Sequence, residues 1–528
     1  MTEQASGRRT WLLLAIVTLA YAVGVTGAAR ARPFWYDEIY LLIAAKAPSV
    51  SAAWKTAVEI DANPPLPHVL ANLAIRCFGL NEVTVRLPAM VGFWVFCLSL
   101  FVFVRRRKGL IFGFIALLLP IVTEAYSYAI DARAYGPLLG FSGIALVAWQ
   151  SAAEGRRRLV ALPLLTVSLA AILLCQYYGA LFYLPLAAGE LVRLRRSGRK
   201  NRGQTPVSPA VSQSLGGSHR ETGCLSPVFP GTARGRIDWG VAAALALGTA
   251  PLVWRLASVL GTVRTFAHGW AGAYLKQGLE FWETGLQRTS PFLALFAFAL
   301  ALAAAVNRAV QTDREPEPVP PEEWTVGAAL VCIPLIAVIA ALTVTHAFTP
   351  RYGVLGLAGF CLLAPLLAAE YSGSRRIVGM VLAAVLGWGV VVTLADHGDA
   401  RNPFTEETAL VEALKQGPVV VSDGQLHLQM WHYAPPELKP RLVFLVDEPA
   451  AVKYMGFDTL DKGGGALKKW AGATSLPYSE FVAANRDFLL YRNLARPEWV
   501  TPRVLDEGAS VEVRSVGLRR ELVRVRMK

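Results

Sequence analysis

The sequence predicts a polytopic α-helical membrane protein with about 11 membrane-spanning helices and a C-terminal soluble α/β domain. Of the 528 residues, 54% are hydrophobic and 17% are charged, whereas soluble domains carry about 25% charged residues. Residues 11–395 consist of apolar runs of about 18–25 residues, the length that crosses a bilayer. These observations exclude a soluble globular enzyme, a fibrous protein and a disordered protein.

The basic residues lie in short clusters between the apolar runs. The formal net charge is +14, but no cluster carries the interleaved aromatic residues of a nucleic-acid module, so no nucleic-acid partner is expected. Short basic loops are typical of the cytoplasmic side of a membrane protein. The clusters are Arg8–Arg9, Arg105–Lys108, Arg156–Arg158, Arg193–Lys200 and Arg375–Arg376.

The basic clusters fix the order of the predicted spans when the N-terminus is placed inside. The first apolar run is long, which favours an uncleaved first span over a signal peptide. Residues 193–236, rich in Arg, Ser, Gly and Pro, predict a disordered cytoplasmic loop. The spans are Trp11–Ala29, Leu87–Val104, Leu110–Tyr126, Tyr135–Ala152, two within 159–192, Trp239–Trp254, Pro291–Val306, Trp324–Ala347, Tyr352–Tyr371 and Ile377–Leu394.

This topology predicts two domains. Residues 1–395 form the transmembrane domain, whose outer loop 30–85 contains juxtamembrane helices, and residues 396–528 form an extracytoplasmic α/β domain. The second domain lacks GxSxG, HExxH and Walker motifs. Its predicted elements are a helix at Glu406–Gln416, strands at Pro418–Ser422, Arg441–Val446 and Asp487–Tyr491, and a hairpin of Val511–Val516 and Glu521–Met527.

Acidic residues gather on the outer loop. Asp37 and Glu38 follow an aromatic triplet just outside the first span, and Asp61 precedes Asn-Pro-Pro. Two acidic points on one loop suit general-base catalysis or a divalent cation. The alternative is an interfacial aromatic belt flanked by solvated acids.

Two arginine-tyrosine pairs lie at the same predicted face. They are Arg133 with Tyr135, and Arg351 with Tyr352. Arginine and tyrosine often extend towards lipid headgroups without further function. However, a guanidinium also matches a phosphate in geometry and charge. Two such pairs on the side of the carboxylates favour an anionic lipid-phosphate substrate.

The order of these motifs resembles a known family. Asp-Glu follows span 1, Asp61-Ala-Asn-Pro-Pro-Leu and Arg86-Leu-Pro come next, and Asp131-Ala-Arg-Ala-Tyr and Pro350-Arg-Tyr follow. The set, over roughly residues 10–370, resembles the C-type (GT-C fold) membrane glycosyltransferases. These include the dolichyl-phosphate-mannose protein mannosyltransferases and the lipid A aminoarabinose transferase. Asn63 stands where the family usually has His, and the family's Tyr pair after Pro-Pro-Leu is missing.

The resemblance implies a bacterial inner-membrane glycosyltransferase. Its donor would be a polyprenyl-phosphate sugar, and its acceptor an extracytoplasmic lipid, glycan or protein. Asp37 or Glu38 would be the catalytic carboxylate and Asp61 the second acidic position. The donor-phosphate ligands would be Arg133, Tyr135, Arg351 and Tyr352. A divalent metal ion, if there is one, would use Asp37, Glu38 and Asp61.

A mechanism follows from this assignment. A phosphate leaves without full protonation, so neutralising its charge is the main requirement. Asp37 would take the acceptor's proton, and direct displacement would invert the anomeric centre. Residues 396–528 would cover the mouth of the site or position the acceptor. The alternatives are a transporter or flippase of lipid-linked glycans and a non-catalytic assembly protein of envelope polysaccharides.

Overall fold

The computed structural model of the chain is helical in its first part and carries a six-stranded sheet in its C-terminal part. It describes residues 2–60, 63–202, 237–254, 272–287, 294, 297, 301, 318–345, 348–372, 376–396, 402–517 and 519–528.

A long helix and three short ones form the N-terminal segment. They are α1 (Thr2–Ala31), α2 (Tyr36–Ala45), α3 (Val50–Ile60) and α4 (Leu66–Phe78). The stretch Gly7–Ala31 of α1 is long and apolar enough to cross a membrane. At 1.5 Å per residue, α4 is about 20 Å long and too short to cross a hydrocarbon core of about 30 Å. Helices α2 to α4 therefore fit the juxtamembrane helices predicted for the outer loop.

The next helix, α5 (Glu82–Leu118), reverses direction at Gly109, where φ is 82°. This left-handed conformation suits glycine because a side chain would be strained there. The two arms pack against each other, and the rings of Phe101 and Phe114 lie 5.1 Å apart. The spans predicted at 87–104 and 110–126 thus correspond to the two arms of one helical hairpin.

Further helices complete the first part of the chain. The helices α11 (Pro321–Val331) and α12 (Ile333–Ala340) are bent by 49° at the break between them, and Pro334 at the start of α12 lacks the amide proton that a continuous helix needs. The helices are α6 (Tyr135–Ala153), α7 (Arg158–Cys175), α8 (Tyr183–Arg202), α9 (Trp239–Gly248), α10 (Gln277–Gln287), α11 (Pro321–Val331), α12 (Ile333–Ala340), α13 (Leu355–Tyr371) and α14 (Arg376–Ala395).

Within the described residues, 4 helices are long and apolar enough to cross a membrane, or 5 if the bent pair counts as one span. Shorter apolar helices cover Leu66–Phe78, Trp239–Trp254 and Leu355–Tyr371. The number of about 11 spans therefore stays a prediction. Most of the span predicted at 291–306 lies outside the described residues.

A disordered loop was predicted over residues 193–236, but residues 193–202 are helical in the structure, because α8 continues to Arg202. Its charged end has partners: Arg193 pairs with Glu190 at 2.6 Å and with Asp238 at 2.8 Å. These ion pairs neutralise part of the positive charge at the start of this basic stretch. Residues 203–236 lie outside the described residues.

Several basic clusters meet through ion pairs. Arg107 binds Glu323, and Arg158 and Arg193 both bind Asp238. These residues come from segments that are far apart in sequence. Their pairing gathers the predicted cytoplasmic loops at one end of the helical bundle.

The C-terminal part folds as a mixed sheet flanked by helices. The strand order is β3-β2-β1-β4-β6-β5, with parallel pairing from β3 to β4 and antiparallel pairing of β6 with β4 and β5. The elements are α15 (Pro403–Glu406), α16 (Thr408–Gln416), β1 (Val419–Val421), α17 (Gly424–Tyr433), β2 (Leu442–Val446), α18 (Glu448–Met455), α19 (Thr459–Ala471), β3 (Ser475–Pro477), α20 (Tyr478–Ala484), β4 (Asp487–Asn493), α21 (Val500–Asp506), β5 (Ser510–Gly517) and β6 (Arg520–Arg526).

The predicted strands and the terminal hairpin correspond to β1, β2, β4, β5 and β6. The predicted helix at 406–416 is broken at Glu407, whose φ and ψ of -88° and 61° are not helical. The short strand β3 was not predicted. Its residues, Ser475-Leu476-Pro477, lack the run of β-branched side chains that marks a strand.

Two apolar cores cover the two faces of this sheet. Val420, Leu445 and Leu490 belong to one core, whereas Val419 and Val421 belong to the other. Alternation along β1 therefore sends successive side chains to opposite faces, as a pleated strand requires. The division into domains at residue 395 stays a prediction, although α14 ends there.

A buried acid in the C-terminal sheet domain gives a pH-dependent stability. Burial raises the pKa of Asp461 from 3.8 to about 7. The native state therefore binds more protons than the unfolded state between these two values, and the stabilisation is lost as the pH rises from about 4 through 7. We expect proteolysis of the C-terminal domain in the full-length protein to accelerate from pH 5 to pH 8, and Asp461→Asn to flatten this dependence.

The exposed Asp487 provides the control for this experiment. Its carboxylate pairs with Arg524 at the surface, so Asp487→Asn should leave the slope between pH 5 and pH 8 unchanged. An equal slope in wild type and Asp461→Asn would contradict the assignment to Asp461.

Candidate active site

Asp37 lies between two arginines that come from distant parts of the chain. Its Oδ2 atom is 2.9 Å from Nη1 of Arg133 and 2.7 Å from Nη1 of Arg351. All three side chains are partly buried, with exposed fractions of 17%, 12% and 20%. Two guanidinium groups and one carboxylate thus form a single site that is partly open to solvent.

Three elements bring these side chains together. Asp37 lies in the first turn of α2, where the helix dipole favours a negative charge. Arg133 lies in the connection that precedes α6, and Arg351 lies in the 3-10 turn Pro350–Gly353 before α13. The predicted topology places these three residues on one face, and the structure brings them into contact.

The Glu38 carboxylate lies outside this site. Its carboxylate forms a bidentate pair with Arg86 at 2.7 and 2.6 Å, and both side chains are fully buried. It also accepts hydrogen bonds from the backbone N–H groups of Ala132 at 2.7 Å and Trp35 at 3.3 Å. Both carboxylate oxygens of Glu38 bind groups inside the protein and so anchor α2 to Arg86 and Ala132. Glu38 is therefore poorly placed to act as a base.

Arg86 holds the turn between α1 and α2. Besides binding Glu38, it donates to the backbone carbonyls of Ala29 and Arg32 at 2.6 Å each and of Pro33 at 3.2 Å. The predicted Arg86-Leu-Pro motif therefore fixes the backbone directly before Asp37.

Trp35 and Asp131 extend the site, and the sequence analysis did not propose a role for either. The indole N–H of Trp35 donates to Asp131 at 2.9 Å, and the guanidinium carbon of Arg351 lies 5.8 Å from the centroid of the Trp35 ring. Burial raises the pKa of Asp131 to about 6, and the charge of Glu38 acts in the same direction. The signal in the sequence was the Asp-x-Arg-x-Tyr motif, whose Asp and Arg both contact this segment.

The two predicted tyrosines border the ion cluster. Tyr352 stacks on Tyr178 with ring centroids 4.4 Å apart, and Tyr135 packs against Tyr128 at 5.0 Å. The Tyr135 hydroxyl is buried and has no hydrogen-bond partner within the part of the chain that the structure describes. A bound ligand with an oxygen acceptor would satisfy it.

A small cavity adjoins Arg133. The amide of Gln176 donates to Asn63 at 3.3 Å on one side of it. Asn63 is the residue that replaces the family's usual His, and Asp61, two residues before it, lies outside the described residues. The lining residues are Leu41, Asn63, Pro64, Pro67, His68, Arg133, Ala134 and Gln176.

The described carboxylates do not fit a divalent metal ion. Asp37 is occupied by two guanidinium groups, and Glu38 is enclosed with Arg86. In the described ranges, no group of three or more His, Cys, Asp or Glu side chains is arranged to hold a metal. Of the predicted metal ligands Asp37, Glu38 and Asp61, the first two are therefore not arranged to bind a metal ion.

Comparison with known proteins extends this picture. Residues 62–206 match the family described as dolichyl-phosphate-mannose-protein mannosyltransferase, and no curated protein matches the chain. Two crystal structures of ArnT from Cupriavidus metallidurans share its fold, each over 98% of both chains. The apo structure has a TM-score of 0.57 at 14% identity, and the structure bound to undecaprenyl phosphate has 0.56 at 13%.

These matches agree with the helical bundle and the C-terminal sheet. The predicted fold class and the predicted resemblance are thereby confirmed: this chain has the GT-C-like fold of ArnT and resembles the mannosyltransferase and aminoarabinose transferase superfamily.

Proposed function

We propose that the chain is a glycosyltransferase of the bacterial inner membrane that moves a sugar from a polyprenyl-phosphate-linked donor to an extracytoplasmic acceptor. The observation that carries this proposal is the contact of Asp37 with both Arg133 and Arg351. A carboxylate can accept the proton of an acceptor, and two permanent positive charges can stabilise a phosphate that leaves. ArnT has been solved bound to undecaprenyl phosphate, which supports a polyprenyl phosphate as the carrier.

The two arginines are the groups that would hold the donor phosphate. Each guanidinium offers five N–H donors, and Arg351 uses its Nη1 atom to bind Asp37. Arg351 is steadied by Trp35 and by Thr349, whose hydroxyl accepts from its Nε atom at 3.2 Å. The buried hydroxyl of Tyr135, which has no partner among the described residues, would add a neutral donor.

Asp37 is the proposed base. The acceptor's hydroxyl oxygen attacks the anomeric carbon while its proton passes to Asp37. The bond between that carbon and the phosphate oxygen breaks, and the electron pair leaves with the polyprenyl phosphate. Its added negative charge is stabilised by Arg133 and Arg351. Attack from the side opposite the leaving group inverts the anomeric centre.

Donor binding would also release the base. Asp37 and the donor phosphate compete for the same guanidinium groups, so a bound phosphate would draw Arg133 and Arg351 away from the carboxylate. An acceptor hydroxyl can then take their place beside Asp37. The site would thus be assembled by its donor.

Replacing Arg351 should weaken donor binding. Removing one charge-assisted contact costs about 1.5–3 kcal/mol, so the Arg351→Ala variant should bind polyprenyl phosphate about 10- to 150-fold more weakly. Binding of undecaprenyl phosphate to the detergent-purified protein measures this. Arg76→Ala is the matched control, because Arg76 is exposed and contacts the backbone carbonyl of Pro48. Unchanged affinity in Arg351→Ala would leave Arg351 as an anchor for its helix.

The function itself is tested by mass spectrometry of envelope glycans and lipids from cells with and without the gene. Loss of a sugar from one acceptor, together with consumption of a polyprenyl-phosphate sugar by purified protein, is the expected result. A donor that is moved across vesicle membranes but never consumed would instead identify a flippase. Unchanged donor and acceptor pools would indicate a non-catalytic assembly protein.

A further inference from the structure

The backbone just before Asp37 is held by the C-terminal domain. Phe34 precedes Trp35, the N-terminal cap of α2, and both of its main-chain polar groups bind side chains of α17. Its N–H donates to the hydroxyl of Tyr433 at 2.6 Å, and its carbonyl accepts from the amide of Gln429 at 2.9 Å. These two residues lie about 400 positions along the chain from Phe34, as the separations of 399 and 395 show.

The ring of Phe34 also contacts the C-terminal domain, as well as Arg86. The guanidinium carbon of Arg86 lies 5.0 Å from its centroid, and His432 packs edge-on at 5.8 Å. Phe34 is almost fully buried, with 2% of its surface exposed. It therefore sits between the buried Glu38–Arg86 pair and the C-terminal domain.

A second contact joins the same two parts of the molecule. The hydroxyl of Tyr40 in α2 donates to the carbonyl of Gly463 in α19 at 3.2 Å. A Cβ atom at Gly463 would lie 2.6 Å from that hydroxyl, so a larger residue at this position would displace the Tyr40 hydroxyl from the carbonyl. Leu428 and Leu467 of the C-terminal domain also share an apolar core with Ile39 and Leu42 of α2.

We propose that the C-terminal domain is a positioning element of the active site, and that Tyr433 and Gln429 set the place of Asp37 through Phe34. This inference rests on the proposed function. Arg86 of α5 holds the turn before α2 through three backbone carbonyls, and Tyr433 with Gln429 of α17 holds it through Phe34. Because Asp37 follows Phe34 by three residues in a short helix, release of Phe34 would shift the carboxylate relative to Arg133 and Arg351.

The test uses the full-length protein with Tyr433→Phe and Gln429→Leu. Small displacements of a catalytic group cost up to about 100-fold in rate, so we expect kcat to fall by about tenfold or more in each variant, with KM for the donor unchanged. Tyr454→Phe is the matched control, because Tyr454 binds Asp506 at the surface of the same domain. It should retain wild-type kcat.

A double-mutant cycle separates positioning from general stability. If Tyr433 acts through Asp37, adding Tyr433→Phe to Asp37→Asn should cost little further activity, because the base is already lost. An equal loss in both backgrounds would overturn the proposal, as would full kcat in both Tyr433→Phe and Gln429→Leu.

Hydrogen exchange tests the same contact without any transfer assay. Removal of the Tyr433 hydroxyl should accelerate exchange of the peptide that contains the Phe34 amide, while the C-terminal sheet keeps its protection. If the wild-type protein transfers no sugar, the proposed function fails. Hydrogen exchange still tests whether Tyr433 restrains the Phe34 backbone. Unchanged exchange at Phe34 in both variants would overturn it.

Discussion

Replacing Asp37 by Asn should lower sugar transfer by about 10²- to 10⁴-fold, the usual contribution of a general base. The amide keeps the size of the side chain but cannot take the acceptor's proton. Donor binding should be retained or become tighter, because the amide no longer competes with the phosphate for Arg133 and Arg351. The expected signature is therefore a collapse of kcat without a loss of donor affinity.

Two measurements on purified Asp37→Asn protein check this expectation. Turnover of a polyprenyl-phosphate sugar gives kcat, and binding of undecaprenyl phosphate gives donor affinity. Asp487→Asn is the control, since Asp487 pairs with Arg524 at the surface of the C-terminal domain. Wild-type turnover in Asp37→Asn would remove the proposed base, and a loss confined to donor affinity would make Asp37 a structural partner of the arginines.

Replacing Arg86 by Met should unfold or strongly destabilise the protein. Arg86 and Glu38 are both fully buried, and loss of one member of a buried ion pair costs about 3–5 kcal/mol because the other charge is left unpaired. Three backbone carbonyls would also lose their donor. We expect a much lower thermal midpoint for Arg86→Met in detergent.

The double variant Arg86→Met with Glu38→Met identifies the cause. It removes both buried charges, so it should recover part of the stability lost in Arg86→Met. Arg524→Met is the control for an exposed pair and should leave the thermal midpoint near that of the wild type. If Arg86→Met is as stable as Arg524→Met, the buried pair does not stabilise the α1–α2 turn.

The convergence of the site could be predicted from the sequence. Arg133 and Arg351 each lie beside a predicted span end and Asp37 lies in the loop after the first span, and the alternation of spans fixed by the basic clusters places all three on one face. That reasoning uses only span length and loop charge, which are local properties of the sequence. The contact distances and the order of the surrounding helices required the structure.

The distinction between Asp37 and Glu38 could not be predicted. Neighbouring helical residues point about 100° apart, so one carboxylate can face a cleft while the next faces the interior. Which one does so depends on Arg86, which is 48 residues away from Glu38. A single sequence gives no indication of such a pairing. It also gives none of the hydrogen bond between the Phe34 N–H and the Tyr433 hydroxyl.

The central claim is that Arg133 and Arg351 receive the phosphate of a polyprenyl-linked donor beside Asp37. Photo-crosslinking with a polyprenyl phosphate that carries a reactive group next to its phosphate tests this most directly. The account predicts adducts on the peptides that contain Arg133 and Arg351, and competition by undecaprenyl phosphate. Adducts confined to the opposite end of the bundle, near Arg107 and Glu323, would contradict it.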